Sequence, residues 1–297
     1  MFKGCIVAIV TPFKDGEIDE KTYKKLIDFC IEGESSGIVP CGTTGESATL
    51  SYEEHDRVVQ MTVEYAKGRV SVIAGTGSNS TQEAITLTKH AAEVGADATL
   101  QVAPYYNRPT QKGLYEHFKA ISETVDLPVI LYNIPSRTGV NIEPETVAKL
   151  ASRCKNIIGI KEASGNLEQM ARIKLLCGEK FLLFSGDDAL TLPVLSIGGD
   201  GVISVVANIV PKDVSCMINA FYNCEIKKAQ QIYYKLLPLI KALFLETNPI
   251  PLKEAMGLLG LCSPEVRLPL CSMSEENLKK LKKALIEYGL LKEELVK

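Results

Sequence analysis

A lysine closes the apolar run IIGIKEAS, residues 157–164. Ile157, Ile158 and Ile160 read as a buried strand, and a buried ammonium is costly unless it is paired or made neutral. Either Lys161 stands past the strand end in water, or the strand delivers an amine to a wall of apolar side chains. In the second case burial lowers the lysine pKa. The neutral amine can then attack a carbonyl carbon and give a Schiff base. Making and breaking that imine requires proton transfers, which a tyrosine hydroxyl can supply with other hydroxyls as a relay. Tyr132 in YNIPSRTG and Thr43 and Thr44 in GTTGES are groups of this kind. A keto acid also needs its carboxylate held, and the backbone N–H groups of a glycine-rich turn do that. Arg137 can hold a second carboxylate through two parallel hydrogen bonds.

Each residue also has a plainer role open to it. GTTGES can be a tight turn into a helix, and it is no P-loop because no G-K-[ST] follows. Tyr105 and Tyr106 in PYYNRPT can be packing or interface residues, and Arg137 a solvated loop charge. Asp187 and Asp188 can cap a helix. Glu83 is first the partner of Ser80 in a capping box, like Glu54 with Ser51. His55, just inside a helix, reads as a surface residue.

The elements that would carry these residues tip the balance toward chemistry. Short β-branched runs recur at 6–10, 38–41, 70–74, 99–103, 129–132, 157–161, 181–185 and 202–206, with helix-period segments between them. Asn166 is the expected N-cap of one such helix. Eight β/α units over about 210 residues predict a (β/α)8 TIM barrel, an α/β fold whose chemistry sits at the C-terminal ends of the strands. GTTGES, PYYNRPT, YNIPSRTG, Lys161 and SGDD (185–188) all fall on that rim. A doubly wound sheet is the alternative, but it normally has fewer strands and a phosphate-binding fingerprint. The expected division is a barrel over 1–210 and a C-terminal helical region over 211–297, with helices at 211–222, 225–245, 251–258 and 274–288.

Composition narrows the partners. The chain has 297 residues, 46% of them hydrophobic, and a net charge of -3. There is no basic run, and Lys279, Lys280, Lys282 and Lys283 alternate with leucines as the wet face of a helix. No nucleic-acid partner is implied. The apolar run after Gly4 is too short for a membrane span or a signal segment. The nine cysteines contain no C-x-x-C pair, which suits free thiols in a reducing, cytoplasmic setting. The three histidines form no metal motif.

With these motifs in place, the chain resembles the dihydrodipicolinate synthase (4-hydroxy-tetrahydrodipicolinate synthase) family of pyruvate-dependent class I aldolases. GTTGES and YNIPSRTG…IIGIKEAS carry the resemblance, which runs from GCIVAIVTPF to NPIPLKEA and RLPL. It implies that Lys161 forms the imine with pyruvate, with no cofactor. Tyr132 would donate and accept the proton, in a relay with Thr44 and with Tyr106 from a neighbouring subunit. Thr43 and Thr44 would bind the pyruvate carboxylate, Gly186 and Ile203 would line the pocket, and Arg137 would anchor L-aspartate 4-semialdehyde. The product would be 4-hydroxy-tetrahydrodipicolinate, a precursor of diaminopimelate and lysine, and the assembly a homotetramer built as a dimer of dimers.

N-acetylneuraminate lyase and keto-deoxy sugar-acid aldolases share Lys161, Tyr132 and the glycine-rich turn. Arg137 separates them, because a polyhydroxy aldehyde calls for neutral hydrogen-bonding groups instead. A silent keto-acid-binding barrel would be expected to have lost one of these residues. The resemblance also matches Ala48, His55, Asn79, Glu83 and Tyr105 to an inhibitory lysine site. Tyr52 departs from the histidine common in lysine-sensitive members.

Overall fold

The computed structural model describes residues 2–292. In chain order the strands and helices begin with Gly4–Ala8 (β1), a hairpin of Phe13–Lys14 (β2) and Glu17–Ile18 (β3), Glu20–Glu32 (α1) and Gly37–Val39 (β4). Tyr52–Ala66 (α2), Ser71–Gly75 (β5), Thr81–Glu93 (α3), Ala98–Val102 (β6) and Gln111–Ser122 (α4) follow. Then come Val129–Asn133 (β7), the one-turn Pro135–Thr138 (α5), Pro144–Arg153 (α6), Ile157–Glu162 (β8), Leu167–Cys177 (α7), Leu182–Ser185 (β9), Thr191–Ser196 (α8) and Gly201–Ser204 (β10). The chain finishes with Pro211–Tyr222 (α9), Ile226–Ala242 (α10), Ile250–Leu258 (α11) and Glu275–Tyr288 (α12).

Strands β1 and β4 to β10 close into a parallel barrel in the order β1-β10-β9-β8-β7-β6-β5-β4. This is the (β/α)8 barrel the alternation predicts. Strands buried on both faces carry β-branched residues throughout, because one face fills the barrel and the other packs under helices. Ile6, Val39, Ile73, Leu100, Ile130, Phe184 and Ile203 fill the interior. A second apolar layer, including Leu114, Phe118, Leu131, Val147 and Ile160, lies between strands and helices. The last helices pack on the barrel, with Leu281 and Leu285 of α12 buried in the same core as Val7 of β1. No helix among the described residues is long and apolar enough to cross a membrane.

Two local expectations are corrected, and one hairpin was not expected. The run 202–206 stops as a strand at Ser204, because the Asp188 carboxylate takes the N–H groups of Val205 (2.8 Å) and Val206 (3.1 Å) out of the ladder. The β2–β3 hairpin went unread, although its turn is Asp15-Gly16 with φ of 54° and 85°, the left-handed pair a two-residue hairpin loop demands. Ser51 and Glu54 form the expected reciprocal box. Ser80 accepts from the Glu83 N–H at 3.4 Å, but the Glu83 carboxylate turns away to Tyr52 and Ser78.

Candidate active site

The parallel register makes the site. Tyr132 of β7 pairs with Lys161 of β8, and Lys161 pairs with Phe184 of β9. Side chains alternate along a strand, so these three share the inward layer at the C-terminal rim, while Glu162 points out. There Glu162 accepts from Asn133 (2.9 Å), Gln169 (3.0 Å) and the Ser164 N–H (2.7 Å). Lys161 therefore does not stand in water. It is 6% exposed, and its Nζ lies 4.2 Å from the centroid of the Tyr132 ring.

Burial pulls the Lys161 pKa from 10.5 down to about 8. The Asp188 carboxylate opposes that shift and the Arg137 guanidinium adds to it. Asp188 is buried and accepts from the Ser204 hydroxyl at 2.5 Å as well as from the two N–H groups named above. Burial raises its own pKa, and those hydrogen bonds work against the rise. The adjoining Asp187 does cap the turn after β9, accepting from the Ala189 N–H at 2.9 Å. Burial also pushes the Tyr132 phenol up to about 12, with Arg137 and Thr43 drawing it back. At neutral pH the pair is thus a phenol beside an amine that loses its proton readily.

The other expected substrate residues surround this pair. The turn that closes with Glu46 at φ 54° sets Thr43 and Thr44 above β4. Thr44 is buried, and its hydroxyl oxygen accepts from Asn248 Nδ2 at 3.0 Å. Arg137 rides on α5 at the mouth, its Nη2 donating to the Asn248 carbonyl at 3.2 Å. Gly186 packs so closely that a Cβ there would come within 2.7 Å of Ala163 Cβ and 3.2 Å of Lys161 Cε. Ile203 is buried in the barrel interior. Tyr106 is not brought to this cluster; it stands 92% exposed.

A cavity of about 600 Å³ opens over the rim. Its lining includes Thr43, Tyr132, Arg137 and Asn248 together with Ala48, His55, Glu83 and Tyr105, whereas Asn79 is outside it. The Asn79 carbonyl accepts from Asn107 Nδ2 at 2.8 Å. Glu83 accepts from the Tyr52 hydroxyl at 2.6 Å and from Ser78. His55 is not a surface residue: it is buried, with Nε2 against the Gly75 carbonyl at 2.8 Å. That burial lowers its pKa.

Two contacts from the C-terminal helices went unread in the sequence. Asn248 is one. The other is the fully buried ion pair of Glu46 with Lys253 on α11, at 2.5 Å, which ties GTTGES to the far end of the chain. Lys253 also donates to the Glu265 carbonyl at 2.9 Å and lies 4.1 Å from the Phe13 ring centroid. Its only signal is one lysine in the apolar stretch NPIPLKEA. Among the described residues, no group of three or more His, Cys, Asp or Glu side chains could hold a metal ion.

Comparison with known proteins agrees with this geometry. The model of the dihydrodipicolinate synthetase family matches residues 1–288. The 4-hydroxy-tetrahydrodipicolinate synthase of Syntrophus aciditrophicus (strain SB) is 60% identical over 291 residues, covering 98% of this chain and all of that one. The crystal structure of dihydrodipicolinate synthase from Aquifex aeolicus superposes with a TM-score of 0.96 at 51% identity, over 97% of this chain and 99% of that one. The Cyanidioschyzon merolae enzyme with lysine bound gives a TM-score of 0.95 at 46% identity, over 98% and 99% of the two chains.

Proposed function

The chain belongs to the dihydrodipicolinate synthetase family, and from that premise we infer the reaction it performs. It is a 4-hydroxy-tetrahydrodipicolinate synthase, a lyase that condenses pyruvate with L-aspartate 4-semialdehyde in lysine and diaminopimelate biosynthesis. The observation that carries this reading is the buried Lys161 against Tyr132 at the barrel rim, with its pKa near 8.

The steps follow from that pair. The neutral Nζ of Lys161 adds to the keto carbon of pyruvate. Tyr132 hands a proton to the carbinol oxygen, which leaves as water and gives the imine. The imine draws electrons from the methyl carbon, so the Tyr132 phenolate takes a methyl proton and the resulting enamine attacks the aldehyde. No external cofactor is needed, because the imine itself is the electron sink. Thr43 and Thr44 hold the pyruvate carboxylate through backbone N–H and hydroxyl groups. Gly186 and Ile203 shape the wall. Arg137 takes the carboxylate of the semialdehyde, which favours that substrate over a polyhydroxy sugar acid.

Thr44 relays protons between Tyr132 and Tyr106 of a neighbouring subunit. The exposure of Tyr106 in the single chain supports that role. The assembly is a homotetramer, a dimer of dimers, in the cytoplasm. The barrel of 1–210 carries the chemistry, and helices α9 to α12 of the C-terminal region brace it.

Incubation with pyruvate and sodium borohydride, followed by peptide mass analysis, tests the mechanism. A reduced pyruvyl adduct on Lys161 is expected, and condensation with aspartate semialdehyde should follow in the unreduced enzyme. No adduct, or an adduct on another lysine, would favour a silent keto-acid-binding barrel.

Lysine inhibition is a second reading. It rests on the cavity where Glu83 offers a carboxylate beside His55, Ala48 and Tyr105, with Asn79 close by in sequence. Lysine is bound in the Cyanidioschyzon merolae relative. Millimolar lysine should slow the condensation, and an unchanged rate would dismiss the site.

A further inference from the structure

Asn248 is 5% exposed and sits just ahead of α11, more than 200 residues from Thr44 in sequence. It meets two residues of the reaction at once. Its side-chain Nδ2 donates to the Thr44 hydroxyl at 3.0 Å, and its backbone carbonyl accepts from Arg137 at 3.2 Å. Its Oδ1 is buried and has no partner among the described residues.

A threonine hydroxyl has one proton and two lone pairs. When an amide N–H occupies one lone pair, the hydroxyl proton must be given elsewhere. In the relay given to Thr44 above, that proton goes toward Tyr132. The Tyr132 phenol is pushed up to about 12 by burial, so any proton it gives away leaves a phenolate that must be hydrogen-bonded to persist in an apolar wall. Were the Asn248 amide turned over, Oδ1 would take the Thr44 proton and the relay would point away from the chemistry.

We propose that Asn248 is a positioning residue of the condensation: its side-chain amide fixes Thr44 as a hydrogen-bond donor into the site, while its backbone carbonyl steadies Arg137. The proposal rests on the relay role given to Thr44 above. The two halves separate cleanly under mutation, since a side-chain substitution removes the first contact and leaves the backbone carbonyl in place.

A double-mutant cycle of Asn248→Ala and Thr44→Val on the full-length enzyme tests it, with kcat and both KM values read. Contacting pairs typically couple by enough to move a rate about tenfold. Asn248→Ala should lower kcat about tenfold in the native background and less than about twofold beside Thr44→Val. The KM for aspartate semialdehyde should stay within about twofold, because Arg137 keeps its backbone partner. Asn248→Asp preserves size but presents an acceptor where Nδ2 stood, so it should lower kcat at least as far. Circular dichroism would establish that each variant is folded.

An equal loss from Asn248→Ala in both backgrounds would overturn the proposal, as would native kcat in the Asp variant. An unimpaired Thr44→Val enzyme would instead remove the relay reading itself, and this inference with it.

Discussion

Replacing Lys161 by methionine should end the reaction and at the same time stabilise the protein at neutral pH. In the folded chain the lysine pKa falls from 10.5 to about 8, chiefly through burial. Below pH 8 both folded and unfolded chains hold the proton, so the folded state carries the whole penalty of a buried ammonium. Between pH 8 and 10.5 the folded chain is already neutral while the unfolded chain is still charged, and the penalty fades. Above 10.5 neither state holds the proton and it is gone. Each pH unit of displacement is worth about 1.4 kcal/mol, so the penalty at pH 7 is about 3 kcal/mol.

Methionine is close in length and carries no charge. With an unfolding entropy near 2.1 cal/mol/K per residue, the whole chain responds by about 0.6 kcal/mol per degree. The variant should therefore melt about 5 °C higher at pH 7. Thermal unfolding followed by circular dichroism, at one protein concentration and at pH 7, 9 and 10.5, would show the gap closing as pH rises. A melting temperature at or below the native value at pH 7, or a gap that does not change with pH, would refute the reasoning. It would mean that Lys161 is paired or hydrated in the resting protein.

Arg137→Ala should lower kcat/KM for aspartate semialdehyde by about 10- to 150-fold, the range of a lost charge-assisted hydrogen bond. Borohydride trapping of pyruvate should survive, with its pH midpoint raised because a neighbouring cation that depresses the Lys161 pKa is gone. Lys253→Met strands the Glu46 carboxylate at full burial, which should cost about 3–5 kcal/mol in chemical denaturation. Adding Glu46→Gln should restore part of that stability, and an unstable double variant with a native-like single one would contradict the ion-pair assignment. Gly186→Ala places a methyl against Lys161 Cε and Ala163. A displacement of about 1 Å can cost 100-fold in rate, so slowed pyruvate trapping is expected in stopped-time assays, and native trapping rates would show that the wall can yield.

Period, spacing and composition alone determined the architecture of this chain. Apolar runs recurring between helix-period segments specify parallel strands buried on both faces, and eight such units without a phosphate-binding fingerprint favour a closed barrel over a doubly wound sheet. Lys161, Tyr132, Thr43, Thr44 and Arg137 were legible for the same reason. Each stands at the end of an identifiable element, and the barrel sends all such ends to one rim. Asn166 and Ser51 were legible as caps because capping is a matter of four consecutive residues.

Other features needed the folded chain. Whether Lys161 is wet or buried depends on the register that sets it between Tyr132 and Phe184. His55 reads as a surface residue on its helix, but in the fold it is buried, with its ring against the Gly75 carbonyl of β5. Asp188 reads as a cap and serves instead to end β10 and to hold a negative charge near the lysine. The clamp of Asn248 and Lys253 on the GTTGES turn joins residues more than 200 positions apart. Local pattern reports what neighbours in sequence do to one another. Burial, desolvation and ion pairing are set by groups that meet only when the barrel closes and the last helices fold back over its mouth.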